Sequence, residues 1–298
     1  GFNVSSIPFN TFFMKINAIS PEKNDFTKVL VNIAKAPKKL HYIGKLPESR
    51  VPTVAIVGTR RPSSYGKEVT YRLSYDLAQR GIIVVSGLAL GVDAVAHKAA
   101  LEAGGTTIAV LGNPLPDISP QSNRGLAEAV VQKNGAVISE YQQGAGVFPS
   151  NFLERNRIVA GLADAIIITE ATNRSGTLNT AARALEQGKE LFVVPGPITS
   201  PLSAGCNALL KQGARVVTDY QDVIEIIAPE LLSSQTSLPL GQNELETAIL
   251  KAIANGTRDG EEILKITKAD PIEFATALTM LELAGSIRAL GANQWTIR

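Results

Sequence analysis

Two adjacent arginines, Arg60 and Arg61, follow directly on the run Val54-Ala55-Ile56-Val57-Gly58-Thr59. Guanidinium groups placed like this suit charge-assisted, bidentate contacts to carboxylate or phosphate. A second pair, Arg155 and Arg157, brackets Asn156. Ser86-Gly87 and Ser175-Gly176-Thr177 each precede a helical stretch, where exposed N–H groups at Gly87, Ser175 and Gly176 can bind phosphate. Phe152 and Tyr141 offer faces on which a base can stack, the means by which single strands are held without reading their sequence.

Most of these residues also have a plainer reading. Arg155 and Arg157 lie two apart at a helix start and cannot share a face, so one of them can pair with Glu140 or Glu170 as a buried ion pair. Phe152 serves equally well as core. Asp93 can cap the helix that begins at Val92, and the lone His97 fits a structural role. Arg60 and Arg61 taken alone fit a solvated loop.

Elements that could position these residues recur regularly. Residues 54–57, 82–85, 107–111, 136–138, 165–169, 191–194 and 215–217 are short apolar runs bounded by glycine and polar residues, which predicts buried strands. Between them, 67–79, 92–103, 126–133, 152–162, 178–187 and 204–212 read as helices. In the first helix Val69, Leu73 and Leu77 make one apolar stripe, and Gly81 stops it. Strand and helix in alternation predict an α/β fold: a parallel sheet flanked by helices, with ligands beyond the carboxyl ends of the strands.

The 298 residues are 45% hydrophobic and 19% charged, with a net charge of +2. That is the composition of a folded protein longer than one compact core. Nucleic-acid binding would therefore come from focused charge. The basic excess lies in residues 1–50, where eight Lys/Arg face three Asp/Glu. Lys35, Lys38 and Lys39 cluster there, as a solvated patch or as an extension of a phosphate-binding surface. The single cysteine, Cys206, leaves no disulfide framework or cysteine-built zinc site and fits a reducing cytoplasm; no metal or cofactor is expected. No apolar run reaches the roughly 20 residues that span a bilayer, so no membrane role is expected. Residues 1–13 lack a secretory-signal pattern and are set aside as an extension.

The expected organisation is a lead-in segment over 1–50 that holds a short strand, a helix around 26–33 and a strand-like run over 40–44, then a Rossmann-like domain over 51–228, a Pro/Ser-rich linker over 229–241, and a small domain over 242–298. In the last, three helical stretches and a terminal hairpin turned through Gly291-Ala292-Asn293 predict a winged helix. Its third helix carries Glu273 and Glu282 and no Lys or Arg, which favours protein contact or self-association at least as much as duplex DNA.

The segments SGLALGVDAVAHKAAL, GTTIAVLG, ISEY, FLERNRIVAGLADAIIITEA, SGTLNTAARALEQGKELFVVPGPI and GCNALLKQGA, in that order, resemble the DNA-processing protein A family, DprA or Smf. The resemblance covers about residues 51–220. It implies an extended Rossmann-like domain that binds single-stranded DNA without sequence preference, protects incoming DNA during natural transformation, helps load the RecA recombinase, and acts as a homodimer. Carried over by motif, the DNA contacts fall on Gly58, Thr59 and Arg60, with Arg61 beside them; on Ser86 and Gly87; on Phe152, Arg155, Asn156 and Arg157; and on Ser175, Gly176 and Thr177. One departure is Ser119-Pro120-Gln121, where the family typically has Tyr-Pro and a basic residue. Arg124 is the nearest cation in sequence.

The main rival is an enzyme. Related Rossmann-like folds include nucleoside-monophosphate phosphoribohydrolases with a Pro-Gly-Gly-x-Gly-Thr-x-x-Glu motif. Here Gly176-Thr177-Leu178-Asn179 is followed by Thr180, so the hydrolytic carboxylate is missing, and Glu170 alone is a weak substitute. A dinucleotide-dependent oxidoreductase fails because Gly58 does not open a G-x-G-x-x-G spacing. The expectation is a non-enzymatic single-stranded DNA-binding protein.

Overall fold

Short Val- and Ile-rich runs form the strands of one nine-stranded sheet, and the amphipathic segments between them form helices that cover it. The computed structural model describes residues 15–233, 241, 243–291 and 293–297. Two compact units, one through Ala228 and one from Pro229, are described separately.

In the first unit the strands are β1 (Asn17–Ile19), β2 (Leu40–Gly44), β3 (Thr53–Val57), β4 (Ile83–Ser86), β5 (Thr107–Leu111), β6 (Ala136–Ser139), β7 (Ala165–Ile168), β8 (Glu190–Val193) and β9 (Arg215–Val216). Their order is β1-β2-β6-β5-β4-β3-β7-β8-β9. Strands β3 to β9 run parallel, whereas β2 pairs antiparallel with β6 and β1 with β2. The chain winds outward from β3 through β4, β5 and β6, then returns to the other side of β3 as β7. The strand order therefore reverses at β3, the position where an open parallel sheet leaves a crevice between diverging loops.

The helices are α1 (Ser64–Gln79), α2 (Val92–Glu102), α3 (Arg124–Gln132), α4 (Pro149–Leu162), α5 (Thr177–Glu186), α6 (Ala204–Lys211) and α7 (Tyr220–Ile227). Strand alternation divides the core. Ile108 and Val110 of β5 face the same side of the sheet as Ile158, Ala181 and Leu209 of α4, α5 and α6, in one continuous core. Ala109 and Leu111 face the opposite way, with Leu101, Ala127 and Val130 of α2 and α3. A sheet covered on both faces requires continuous apolar strands, and each fully buried Val, Ile or Leu contributes about 1.5–3 kcal/mol relative to exposure.

Sequence and structure differ at three places along the chain up to residue 241. No break exists at residue 50: the strand expected over 40–44 is β2 and extends the sheet with β1, the helix expected around 26–33 is a short 3-10 turn over Lys28–Asn32, and Phe26, Leu30 and Leu40 are fully buried in the core. Arg50 ties this segment to β7, donating to Leu162 O at 2.8 Å and to Asp164 Oδ1 at 2.5 Å. The helix α7 has no counterpart in the sequence reading, although Asp219 and Asp222 form a capping box at its start, a recognisable signal. The linker read over 229–241 begins with a short helix, α8 (Glu230–Ser233), and its residues 234–240 lie outside the described residues, as do residues 1–13.

The second unit is a winged helix. Helices α9 (Glu244–Ala254), α10 (Gly260–Thr267) and α11 (Pro271–Leu283) are capped by Asn243, Asp259 and Asp270, whose side chains accept first-turn N–H groups. A hairpin of β10 (Ile287–Gly291) and β11 (Gln294–Ile297) follows. Ile249, Leu250, Ile263, Phe274, Leu281 and Ile287 form its core, with Trp295 packed against them. Ile272 and Leu283 of α11 are exposed, and α11 carries no Lys or Arg.

Candidate nucleic-acid interface

At the reversal point, the loop after β3 is held from both neighbouring strands. Thr59 N–H donates to Glu170 O at 2.8 Å, and Thr59 O accepts from Val92 N–H at 3.1 Å. Glu170, which lies just past β7, is 2% exposed. Its Oε2 accepts Ser63 N–H at 2.8 Å and its Oε1 accepts the Ser63 hydroxyl at 2.5 Å. Ser63 Oγ in turn accepts Gly66 N–H, capping α1. Gly58 is needed for this closeness, because a Cβ there would press on Val92 and on Glu170 O. Pinned at Thr59 and Ser63, the loop exposes Arg60 and Arg61. Neither has an ion-pair partner among the described residues.

A cleft of about 210 Å³ opens here. It brings together Gly58, Thr59, Arg60, Phe152, Arg155, Asn156, Ser175, Gly176 and Thr177 from three segments of the chain, with Ala89 and Asp93 of a fourth. Drug-sized pockets run to about 300–1,000 Å³, so this shallow cleft suits a base or a phosphate better than an enclosed dinucleotide. Phe152 is half-buried against Gly112, so its ring is both packed and part of the wall. Asn156 is half-buried, with its Nδ2 at 3.4 Å from Asn179 Oδ1.

The candidate N–H donors separate on inspection. Ser86 is fully buried and its hydroxyl donates to Ile56 O at 2.6 Å. Gly87 N–H is taken by Asp93 Oδ2 at 3.0 Å, so the exposed donor expected there is absent. Asp93 also accepts Ala89 N–H at 3.4 Å, stapling the β4–α2 turn. Ser175 N–H donates to Thr172 O, and Thr177 N–H to Ser175 Oγ. Gly176, exposed at the start of α5, keeps an N–H with no partner among the described residues.

The two arginines of α4 are buried and differ in what they hold. Arg155, 7% exposed, donates through Nη1 to Gly87 O at 2.6 Å and to Val110 O. Glycine at 87 leaves room for this, since a Cβ would fall on the Arg155 guanidinium and displace it. Burial pushes the Asp93 carboxyl up, opposed first by the charge of Arg155 and then by the N–H groups of Ala89 and Gly87. Arg157, 6% exposed, donates to Glu140 Oε1 at 2.6 Å, which is the ion pair the sequence left open. Both side chains are mostly buried: Arg155 braces the cleft and keeps a positive charge in its lining, whereas Arg157 ties α4 to Glu140 just past β6.

Other groups named from sequence serve the fold. His97 is fully buried, with Nδ1 at 2.7 Å from Thr107 Oγ1. The Thr107 hydroxyl donates to Val84 O, so His97 Nδ1 carries the proton in this contact. Arg124 pairs with Glu128 on its own helix at 3.2 Å, and Gln121 is exposed beside it. One cation was missed. Arg174 is exposed without an ion-pair partner in the loop that leads to Ser175, and its place between β7 and α5 was the available signal. Phe148, 61% exposed, directly precedes α4.

Among the described residues no helix is long and apolar enough to cross a membrane. The DNA recombination-mediator protein A family matches residues 17–228, and the DprA winged helix domain matches residues 221–293. The chain is 38% identical to Protein Smf of Escherichia coli, over 88% of this chain and 72% of that protein. It is also 38% identical to the DNA processing protein DprA of Streptococcus pneumoniae, over 75% and 78% of the two. The X-ray structure of the S. pneumoniae protein superposes with a TM-score of 0.66, covering 72% of this chain and 75% of that one. The DNA processing protein A of Helicobacter pylori, described for its single-stranded DNA binding mode, is 33% identical with a TM-score of 0.63, over 73% of this chain and 98% of that one.

Proposed function

The chain belongs to the DNA recombination-mediator protein A family, and from that premise we propose that it binds single-stranded DNA without sequence preference at the reversal-point cleft. One observation carries the reading: Arg60, Arg61 and Arg174 are exposed cations without carboxylate partners, on loops that also offer the open N–H of Gly176. Guanidinium and N–H donors recognise phosphate, which every nucleotide carries, and Phe152 supplies an apolar edge for any base. Thr59, Asn156, Ser175 and Thr177 line the same cleft. Ser86, Gly87 and Arg155 act in this reading by holding the wall in shape, and Arg157 by fixing α4 through Glu140.

The protein is non-enzymatic in this reading. Both carboxylate oxygens of Glu170 are engaged by Ser63, and Thr180 stands where the related hydrolases carry a glutamate. Its biological setting is the cytoplasm, where as a homodimer it protects incoming single strands and passes them to the RecA recombinase. Fluorescence anisotropy with a labelled oligo-dT tests the binding. The expected result is affinity that falls steeply with salt and is strongly reduced by Arg60→Ala. No binding at low salt, or no effect of Arg60→Ala, overturns the reading. Hydrolysis of AMP to adenine and ribose phosphate would favour the enzyme.

A further inference from the structure

Because β2 runs antiparallel to β6, with His41 opposite Ser139, the start of β2 lies at the carboxyl end of the parallel strands. The segment just before it, Lys35-Ala36-Pro37-Lys38-Lys39, is thereby delivered to the rim that carries the cleft. It is anchored rather than trailing, since Ile33, Pro37 and Leu40 are buried while Lys35, Lys38 and Lys39 are exposed. Lys35 adopts a left-handed φ of 53°, uncommon for a side-chain-bearing residue, and its Nζ lies 3.5 Å from Glu154 Oε1.

These lysines line a depression of about 430 Å³ together with His41, Gln142, Glu140 and Arg157. Four cations therefore face one lining carboxylate, and Glu140 is already engaged by Arg157 at 2.6 Å. Glu154 is shared between Lys35 and Arg157. Lys38 and Lys39 have no ion-pair partner among the described residues. Burial, and then the charge of Lys39, lower the pKa of His41, so it is a neutral hydrogen-bonding group there near pH 7.

The two basic sites share one structural divider. Leu153 and Asn156 of α4 line the cleft, whereas Arg157 lines the lysine depression and Glu154 reaches Lys35. In the sheet order β2-β6-β5-β4-β3, four strand spacings of about 4.8 Å separate the lysine loop from the arginine loop, roughly 19 Å. At about 3.4 Å per stacked nucleotide that is a step of about six nucleotides.

We propose that the Lys35–Lys39 loop is a second phosphate-binding site for the same single strand, engaged only when the strand crosses α4 from the cleft. The inference rests on the single-stranded DNA reading above. Lys38 and Lys39 take backbone phosphates of nucleotides about six positions from the one held by Arg60, and the base identity there is irrelevant.

The test uses the full chain, fluorescence anisotropy, and two labelled oligo-dT probes of about five and about twenty nucleotides. In K38A/K39A the longer probe is expected to bind with a salt slope lower by about 1.4, two contacts at about 0.7 each. The shorter probe is expected to bind as it does to the unaltered protein. Arg60→Ala weakens both probes. K133A/K211A removes two lysines that precede β6 and β9, at the opposite edge of the sheet, and leaves the slope unchanged. An unchanged slope for the longer probe in K38A/K39A, or equal losses on both probes, overturns the second site while the cleft reading stands. Failure of the unaltered protein to bind either probe overturns both. Lys38 and Lys39 make no ion pair, so an unchanged thermal transition in K38A/K39A is expected to accompany the loss.

Discussion

Replacing Arg155 with Met separates a residue that braces the cleft from one that, in the proposed reading, contacts phosphate. The substitution keeps most of the volume and removes the donors that serve Gly87 O and Val110 O, both buried. It also strips the buried Asp93 carboxylate of its facing cation. Breaking a buried charged arrangement by removing one partner costs about 3–5 kcal/mol. For a unit of this size that lowers the midpoint of thermal unfolding by roughly 6–20 °C. The chain offers a convenient assay: all six tyrosines precede Pro229, and the single tryptophan, Trp295, lies in the winged helix. Arg155→Met is expected to shift the tyrosine-monitored transition and leave the tryptophan-monitored one in place. Its salt slope for oligo-dT, measured well below the transition, stays near that of the unaltered protein. Arg60→Ala gives the reverse pattern, a slope lower by about 0.7 with no thermal shift. If Arg155→Met lowers the slope and leaves the tyrosine transition unmoved, Arg155 is a direct phosphate ligand and the bracing argument fails.

Glu170→Gln keeps one acceptor where Ser63 needs two, leaving a buried donor unpaired at a cost of about 1–3 kcal/mol. Electrostatics alone would raise DNA affinity when this carboxylate is neutralised; the expected outcome in anisotropy is a fall, because the arginine loop loosens. Burial first, and then the charge of Arg155, lower the pKa of His97 to about 3, against about 6.5 unfolded. The unfolded chain therefore binds the extra proton first, and stability present above pH ~6.5 is lost as pH falls toward ~3, by up to about 1.4 kcal/mol per unit. Denaturant titrations from pH 7 to 5 are expected to show a shallower decline for His97→Gln, and identical slopes would refute this. Cys206 is fully buried and its thiol is pushed up to about 11 by burial. It is expected to react with a disulfide reagent only as fast as the first unit opens, so rapid labelling under native conditions would contradict its placement.

The strands of the parallel sheet were legible because burial on both faces demands unbroken Val/Ile/Ala runs, as in residues 54–57 and 165–168. At the antiparallel edge, residues 40–44 were legible as a strand, which is β2, but its pairing was not, because its partner β6 lies far along the chain. Tyr42, for instance, pairs with Ile138. At the site, Arg60 was legible from its position after a strand and a glycine. The roles of Arg155 and Arg157 were not, since spacing shows that two residues face apart and not which carbonyl or carboxylate each will meet. Gly87 shows the same limit: its N–H was open on paper and is occupied by a carboxylate six residues later. Arg174 was passed over because no periodicity or motif marks a lone cation in a loop.

The central place of β3 bears on how the protein is made. Val54 pairs with Val84 on one side and Ala165 on the other. On a growing polypeptide β4 is available soon after β3, and until β7 emerges the other flank of β3 is an open edge able to capture a foreign strand. Glu170, which closes the arginine loop, arrives with β7, as do the residues that lead to Gly176. A ribosome-bound fragment ending before residue 165 thus carries both Arg60 and Arg61 on an unfastened loop. The arginine loop is therefore fastened only after synthesis has passed the middle of the chain, when the most sequence-distant pairing of the central strand has closed.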